Sequence, residues 1–272
     1  MQTPILTERR GGPGRGRLVA RRVGDRTELA VSHASSPVRF VRPTFTGRHV
    51  SGAACAVCVV TFGAGLVDGD DVSLDVTVEP GATLVLFTQA STKVFRGRAS
   101  QSLRAEVHGT LALLPDPVAP FADADYTQRV DVSLHGDAAS CVLLDGVTAG
   151  RPAFGERWAP SRVDLRTRVR RGDRVVLSDA LRLDARDGSI ARRMDRFDAL
   201  VTLASVGPAA VARAIGEGAE IARDVVVAAS LRGDVSLARI AAISPEIALS
   251  AARSRLRNLP EMGIVDPFEA RN

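Results

Sequence analysis

The chain has 272 residues, of which 45% are hydrophobic, 25% charged and 4% aromatic, a composition typical of a globular protein with an aliphatic core. No run of about 18 apolar residues predicts a transmembrane helix. Residues 1–17 contain no apolar signal segment, so we expect a cytoplasmic protein without membrane partners. The formal net charge of +5 would suit nucleic-acid binding only if the basic residues lay on the folded body.

The basic residues are instead concentrated near the N-terminus. Residues 1–48 hold ten arginines and three acidic residues, whereas the rest of the chain carries 26 basic and 28 acidic residues. The Gly- and Arg-rich stretch 11–17 lies within a predicted basic, flexible N-terminal segment, residues 1–30. Nucleic-acid binding is therefore disfavoured, and a basic-tailed nucleic-acid-binding β protein stays the alternative.

Period-two alternation of apolar and polar residues dominates the next part of the chain and predicts a β-rich body, residues 31–206. The alternation is clearest at residues 72–78, 130–134 and 163–169. Turn residues such as Glu79-Pro80-Gly81 recur about every 8–12 residues, as in all-β proteins. Cys55 and Cys58 lie in a predicted buried strand, whose alternating faces would separate the two thiols and make them core residues.

Residues 207–272 change character and predict a helix–strand–helix part that packs on the body. Gly207-Pro208 and Ser244-Pro245 each predict the start of a helix, and residues 237–243 predict a strand between the two helices. The predicted apolar stripes are Val211, Ile215, Ala219 and Ala222 on the first helix, and Leu249, Ala252, Leu256 and Leu259 on the second.

Signatures of catalysis are missing from the sequence. It contains no phosphate-binding P-loop, no H-E-x-x-H metal motif and no G-x-S-x-G nucleophile motif. The four histidines are scattered without the spacing of metal ligands. We therefore predict a protein that is not an enzyme, although an enzyme with a dispersed site remains an open alternative.

Three sequence blocks combine glycine, proline and charged residues in ways that predict tight connections. In the first block, Gly65 and Gly69 can adopt positive φ between strands, and Asp70 would open the next strand. The same block contains Thr92 and Lys93, the single lysine of the chain.

The second and third blocks predict a rigid crossover and a charged pair. Pro115, Pro117 and Pro120 cannot lie in a central strand, so their segment is an edge or a rigid crossover. In the third block Gly150 and Gly155 bracket Arg151 and Glu156, which could pair across a bend.

Taken in order over residues 37–160, these blocks resemble the UreD (also called UreH) family of urease accessory proteins. The matching segments are residues 64–70, 80–82 and 88–96 of the first block, residues 114–124 of the second and residues 150–156 of the third. The chain departs from the family pattern at Ala64 and Asp68, where the family has glycine, and at Phe95, where it has tyrosine.

The resemblance implies a mainly β fold: a large irregular superhelical, β-helix-like arrangement of strands with two C-terminal α-helices. It implies a non-catalytic chaperone or scaffold that binds apo-urease together with UreF-like and UreG-like partners and assists nickel insertion. No permanently bound cofactor is implied, only transient transit of Ni²⁺ past oxygen groups. Asp70 and Asp145 match family positions that could line such a route, followed by Thr92 and Glu156. A diverged member without a urease client remains the alternative within the family.

Overall fold

Strands make up most of the chain in the computed structural model, which describes residues 13–43, 54–208, 211 and 215–256. The strands are β1 (Pro13–Val23), β2 (Arg26–Ala34), β3 (Val38–Val41), β4 (Cys55–Thr61), β5 (Asp71–Val78), β6 (Thr83–Thr88), β7 (Lys93–Val94), β8 (Gly97–Val107), β9 (Thr110–Leu114), β10 (Ala119–Pro120), β11 (Ala124–Leu134), β12 (Ser140–Thr148), β13 (Gly150–Arg151), β14 (Glu156–Arg157), β15 (Arg162–Arg171), β16 (Arg174–Asp184), β17 (Ala199–Val206), β18 (Gly218–Ile221), β19 (Val225–Arg232) and β20 (Val235–Ala242). The described helices are α1 (Ile190–Met194) and α2 (Pro245–Ser254), and 3-10 turns span Pro152–Phe154 and Ala185–Asp187. The chain is thus mainly β, as predicted, and neither α1 nor α2 has the length and apolar character needed to cross a bilayer.

Two large sheets contain nearly all of these strands. The seven-stranded sheet has the order β16-β15-β11-β8-β5-β1-β2, and the nine-stranded sheet has the order β18-β19-β20-β17-β12-β9-β6-β4-β3. From β4 to β15 successive long strands alternate between the two sheets, so β5, β8, β11 and β15 are parallel neighbours in one, and β4, β6, β9 and β12 in the other. The predicted turn at Glu79-Pro80-Gly81 carries the chain from β5 in one sheet to β6 in the other. A superhelical course of the whole chain stays a prediction.

The two sheets face each other across a shared apolar core. Val76 and Val132 of the seven-stranded sheet belong to the same buried cluster as Leu84 and Leu111 of the nine-stranded sheet. The opposite face of the nine-stranded sheet is also buried, because helix α2 packs on it and contacts β17 and β20. The seven-stranded sheet has no such cover in the described residues, and its outer face is polar and exposed.

The predicted flexible N-terminal segment is wrong from Pro13 onward, because residues 13–23 form β1, which lies between β5 and the edge strand β2 of the seven-stranded sheet. Leu18 and Ala20 are buried there. Gly16 serves close packing rather than flexibility, since a Cβ atom on it would lie 2.5 Å from Leu74 Cδ2. Residues 1–12 of the predicted segment lie outside the described residues.

The arginines of β1 are matched by acidic residues of the neighbouring strand β5 and the turn that follows it. Arg15 Nη1 lies 3.3 Å from Asp71 Oδ2, and Arg21 Nε lies 2.7 Å from Glu79 Oε2. The basic excess read from the sequence is therefore partly neutralised in the fold. Composition alone could not show this, because the pairing joins segments that are far apart in the chain.

The C-terminal part differs from the prediction in its first half. Gly218–Ile221 form the edge strand β18, so the first predicted helix cannot extend to Ala222; residues 209–210 and 212–214 lie outside the described residues. The second helix is confirmed as α2, where Ser244 Oγ accepts a hydrogen bond from Ile247 N–H at 3.3 Å. Leu259 of its predicted stripe lies outside the described residues. The predicted boundary after residue 206 falls inside the nine-stranded sheet, because β17 pairs with β20.

Candidate functional site

Two adjoining cavities lie against the inner faces of the sheets. The inner cavity has a volume of about 90 Å³ and is lined by Asp145 and Gln128 among others. The outer cavity, of about 240 Å³, is lined by residues 88–93, which end at Lys93, the first residue of β7. Thr88, Thr92, Gln101 and Val59 line both cavities. The predicted motif residue Thr92 thus lies between the two cavities, Lys93 borders the outer one, and Asp145 borders the inner one.

Polar side chains from both sheets meet at the inner cavity. The Tyr126 hydroxyl on β11 lies 2.5 Å from Gln101 Oε1 on β8 and 2.9 Å from Gln128 Oε1 on its own strand. Gln128 Nε2 then donates a hydrogen bond to Asp145 Oδ1 on β12 at 2.8 Å. Because β11 and β12 belong to different sheets, this chain of hydrogen bonds bridges the core.

Asp145 is the central charged group of this arrangement. Burial between the sheets raises the pKa of its carboxyl from 3.8 to about 6, and the negative charge of Asp179 adds to this effect. Hydrogen bonds from Gly146 N–H, at 2.7 Å, and from Gln128 and Thr167 act in the opposite direction. The side chain keeps some exposed area because it lines the cavity, although both sheets enclose it. A carboxyl with a pKa of about 6 is mostly ionised at neutral pH, and this one borders the inner cavity.

An ion pair continues the polar arrangement beyond Asp145. Arg239 on β20 donates a hydrogen bond to Asp179 on β16, again joining the two sheets. Thr202 on β17 lies in register between Asp145 and Arg239 across the nine-stranded sheet. We call the inward-facing series Gln101, Tyr126, Gln128, Asp145, Thr167, Asp179 and Arg239 the polar band.

The polar band separates two apolar clusters of the inter-sheet core. On the inner face of β12, Leu143 belongs to one cluster and Val147 to the other, with Asp145 between them. Asp145, Gln128 and Thr88, each with a side-chain oxygen, are among the residues that line the inner cavity. Such oxygen donors are groups that a passing divalent cation can contact without tight capture.

The glycines of the first block have the predicted conformations. Gly65 has φ +146° and Gly69 has φ +85°. A Cβ atom on Gly65 would lie 2.3 Å from Lys93 O, so glycine lets this loop pack against the strand that carries the lysine. Asp70 is buried and its Oδ2 accepts a hydrogen bond from Val67 N–H at 2.8 Å. It closes the turn before β5 and does not line either cavity.

The predicted pair of the third block is confirmed as a two-point contact. Arg151 Nε and Nη2 lie 3.0 Å and 2.6 Å from the two oxygens of Glu156, and this contact lowers the pKa of the Glu156 carboxyl. Glu156 also accepts a hydrogen bond from Ala122 N–H at 3.2 Å. Gly150 and Gly155 have φ +84° and +75°. The pair joins the two strands of the short β13–β14 hairpin and does not line the inner cavity, so its position indicates a structural role.

The proline segment is a rigid crossover, as predicted. Pro115 lines the inner cavity directly after β9, and Pro117 lies in the connection to β10. Pro120 ends β10, which pairs with β7 and so lies beside Lys93 and Val94. The crossover therefore holds the rim of the outer cavity in place.

Sequence reasoning missed Gln101, Gln128, Asp179 and Arg239. The signal was a polar residue at an inward position of an alternating strand. On β16, for example, Asp179 falls between the partly buried or buried Leu177 and Leu181. Extending each alternation by one step would have marked these positions, but only the two-sheet arrangement shows that they meet.

The family resemblance read from the motifs is supported by direct comparison. A family model described as "UreD urease accessory protein" matches residues 12–261. The chain is 44% identical to the urease accessory protein UreD of Sorangium cellulosum, over 96% of this chain and 85% of that protein. It is 38% identical to the UreD protein of an Anaeromyxobacter species, over 94% and 88% of the two chains, and 30% identical to urease accessory protein D of Arabidopsis thaliana, over 71% and 67%. The chain therefore belongs to the UreD family of urease accessory proteins.

Proposed function

We propose that this protein is a cytoplasmic, non-catalytic scaffold for urease maturation that binds apo-urease with UreF-like and UreG-like partners, and that its polar band is a route for Ni²⁺ toward the urease active site. The observation that carries the proposal is the polar band itself, which crosses the core from the cavity beside Thr92 to the ion pair of Asp179 and Arg239.

A protein built only for stability gains little from the charged members of such a band. Burying a charged group costs free energy that its partners often do not fully offset. The raised pKa of the Asp145 carboxyl, caused mainly by burial, is in line with such a cost. A column of apolar side chains between the two flanking clusters would hold the sheets together at least as well. The band therefore points to a role in function.

The proposed cargo is an ion in transit. Ni²⁺ would enter at the cavity beside Lys93 and Thr92, contact Thr88, and then meet the carboxylate of Asp145. Scattered oxygen donors favour exchange of the ion over tight capture. In this scheme the chemistry of nucleotide hydrolysis belongs to the UreG-like partner. The alternation of strands between two sheets is also compatible with the superhelical course that the family implies.

The alternative of a basic-tailed nucleic-acid-binding protein is less well supported, because part of the N-terminal charge is matched within the fold. Arg15 and Arg21 are matched by Asp71 and Glu79, so β1 does not present an unopposed row of cations. We therefore retain only the maturation role.

The test is urease maturation in cells that co-express the urease subunits and accessory proteins with variants of this chain. Asp145→Ala removes the carboxylate of the polar band, whereas Asp131→Ala removes an exposed one from the same body. We expect both variants to co-purify with the partners, and only Asp145→Ala to lower the nickel content of the recovered urease several-fold. Asp70→Ala serves as a second comparison, because Asp70 closes a turn outside the cavities.

Unchanged nickel content in urease matured with Asp145→Ala would refute the route. Loss of co-purification by Asp145→Ala would instead indicate a folding defect, and Asp145→Asn, which keeps the hydrogen-bonding shape, then decides between the two explanations.

A further inference from the structure

One ion pair of the polar band reaches the surface. Arg239 and Asp179 lie 60 residues apart in the chain and belong to different sheets. The side chain of Asp179 is 16% exposed and that of Arg239 is 39% exposed. The pair therefore stands where the band, enclosed at Asp145, meets solvent.

Asp179 is electrostatically coupled to Asp145. Its negative charge contributes to the raised pKa of the Asp145 carboxyl, and Thr167, which hydrogen-bonds Asp145, lies opposite Asp179 in register. A cation held at Asp145 would therefore find its next carboxylate at Asp179. That carboxylate, however, is already engaged by a guanidinium.

The position of Arg239 has two physical consequences for a divalent cation. The hydrogen bond occupies an oxygen lone pair of Asp179 that could otherwise coordinate a metal. The guanidinium also carries a positive charge that repels Ni²⁺, and this repulsion is stronger in a partly enclosed site than in water. Both effects close this end of the band while the pair is intact.

We propose that Arg239 is a lock on the polar band: by pairing with Asp179 it withholds this carboxylate from divalent cations until the guanidinium swings outward. The inference rests on the proposed function only for its biological role. The competition between a guanidinium and a cation for one carboxylate can be measured without urease. The partial exposure of Arg239 gives its side chain access to solvent when it leaves Asp179.

The test is Ni²⁺ binding by the full chain, produced as a fusion to a soluble carrier without a histidine tag and measured by equilibrium dialysis. Arg239→Met keeps the aliphatic stem but removes the charge and the donors. Arg239→Met combined with Asp179→Asn also removes the carboxylate. Arg232→Met removes a cation beside the turn of the β19–β20 hairpin, whereas Arg239 lies in the middle of β20, and is the matched control.

We expect Arg239→Met to bind Ni²⁺ at least about tenfold more tightly than the unaltered chain, a change worth about 1.4 kcal/mol. The double variant should return to the original affinity, and Arg232→Met should not depart from it. Circular dichroism and urea unfolding of each variant verify that the fold is kept.

An unchanged affinity of Arg239→Met would overturn the lock, as would a double variant that binds as tightly as the single one. The outcome is separable from the proposed function. If Arg239→Met binds no better while Asp145→Ala still lowers urease nickel content, the route stands without a lock.

Discussion

Two rows of charged and polar side chains cross this molecule, one outside and one inside. On the outer face of the seven-stranded sheet, five exposed residues alternate in charge and lie in register across neighbouring parallel strands: Arg17, Asp75, Arg104, Asp131 and Arg168. We call them the charge ladder. The polar band crosses the inner face of the same sheet and the facing sheet.

The difference between the two rows is their dielectric surroundings. Side chains of the charge ladder are hydrated, so each opposite-charge neighbour contributes only about 0.2–1 kcal/mol. Groups of the polar band hydrogen-bond one another in place of water, and burial raises the pKa of Asp145 to about 6. Similar residues on the two faces of one strand therefore lie in different surroundings: hydrated charges outside, and inside a carboxyl whose pKa is raised by burial.

The largest expected effect is a gain in stability when the inner carboxylate is removed. The pKa of Asp145 is raised from 3.8 to about 6 in the folded chain, so protonation favours folding. Stability from this group is present below about pH 4 and is lost as the pH rises to about 6. Asp145→Asn cannot ionise, and its Oδ1 can still accept from Gln128 and Gly146. We therefore expect it to be more stable by about 2–3 kcal/mol above pH 6.

Urea unfolding of both proteins between pH 4 and pH 8 measures this difference. The advantage of Asp145→Asn should grow with pH up to about 6 and then level off. Asp131→Asn on the charge ladder should differ from the unaltered chain by less than about 0.5 kcal/mol throughout. If Asp145→Asn and the original chain differed in free energy of unfolding by the same amount at every pH, burial would not raise the pKa of Asp145.

A second, smaller effect is expected from the buried hydroxyl of the polar band. Tyr126→Phe removes the hydroxyl that faces Gln101 Oε1 and Gln128 Oε1. The two enclosed amide oxygens then lose this hydrogen-bond partner. We expect a loss of about 1–2 kcal/mol in the free energy of unfolding. Urea unfolding of Tyr126→Phe, of Gln101→Leu and of the double variant measures the coupling. If the two single losses simply add, the hydrogen bond does not couple these residues.

The smallest effect is expected on the charge ladder. Arg104→Glu places three acidic residues in a row across β5, β8 and β11, beside Asp75 and Asp131. We expect a loss of about 0.5–1 kcal/mol at low salt that shrinks at high salt, because exposed charges are screened. Unfolding at the two salt concentrations measures it, with Arg174→Glu at a strand end as the control. A salt-independent loss would mean that the ladder is less hydrated than its exposure indicates.

Local features of the site followed from the sequence. The glycines that bracket Arg151 and Glu156 predicted a bend that brings the two charges together, and the contact is present. The spacing of Cys55 and Cys58 predicted two buried core thiols, and both side chains are buried. In each case the geometry depends on residues a few positions apart, whose relation is fixed by backbone periodicity.

The N-terminal strand shows why other features did not follow. Gly- and Arg-rich composition suggested flexibility, yet Pro13 pairs with Asp71 and the strand lies between β5 and β2. The partner that orders this segment is almost sixty residues away. Composition describes a segment by itself, whereas a strand is stabilised by its neighbours.

The sequence by itself determined the β-rich character, the tight turns and the ion pair of Arg151 with Glu156. These features depend on alternation, glycine conformation and short separations along the chain. Only the tertiary structure decided that Gln128, Asp145, Asp179 and Arg239 form one polar band. These residues come from strands of two sheets, and what brings them together is the packing of one sheet on the other. That packing also creates low-dielectric surroundings, in which the electrostatic interactions between these groups are stronger than in water.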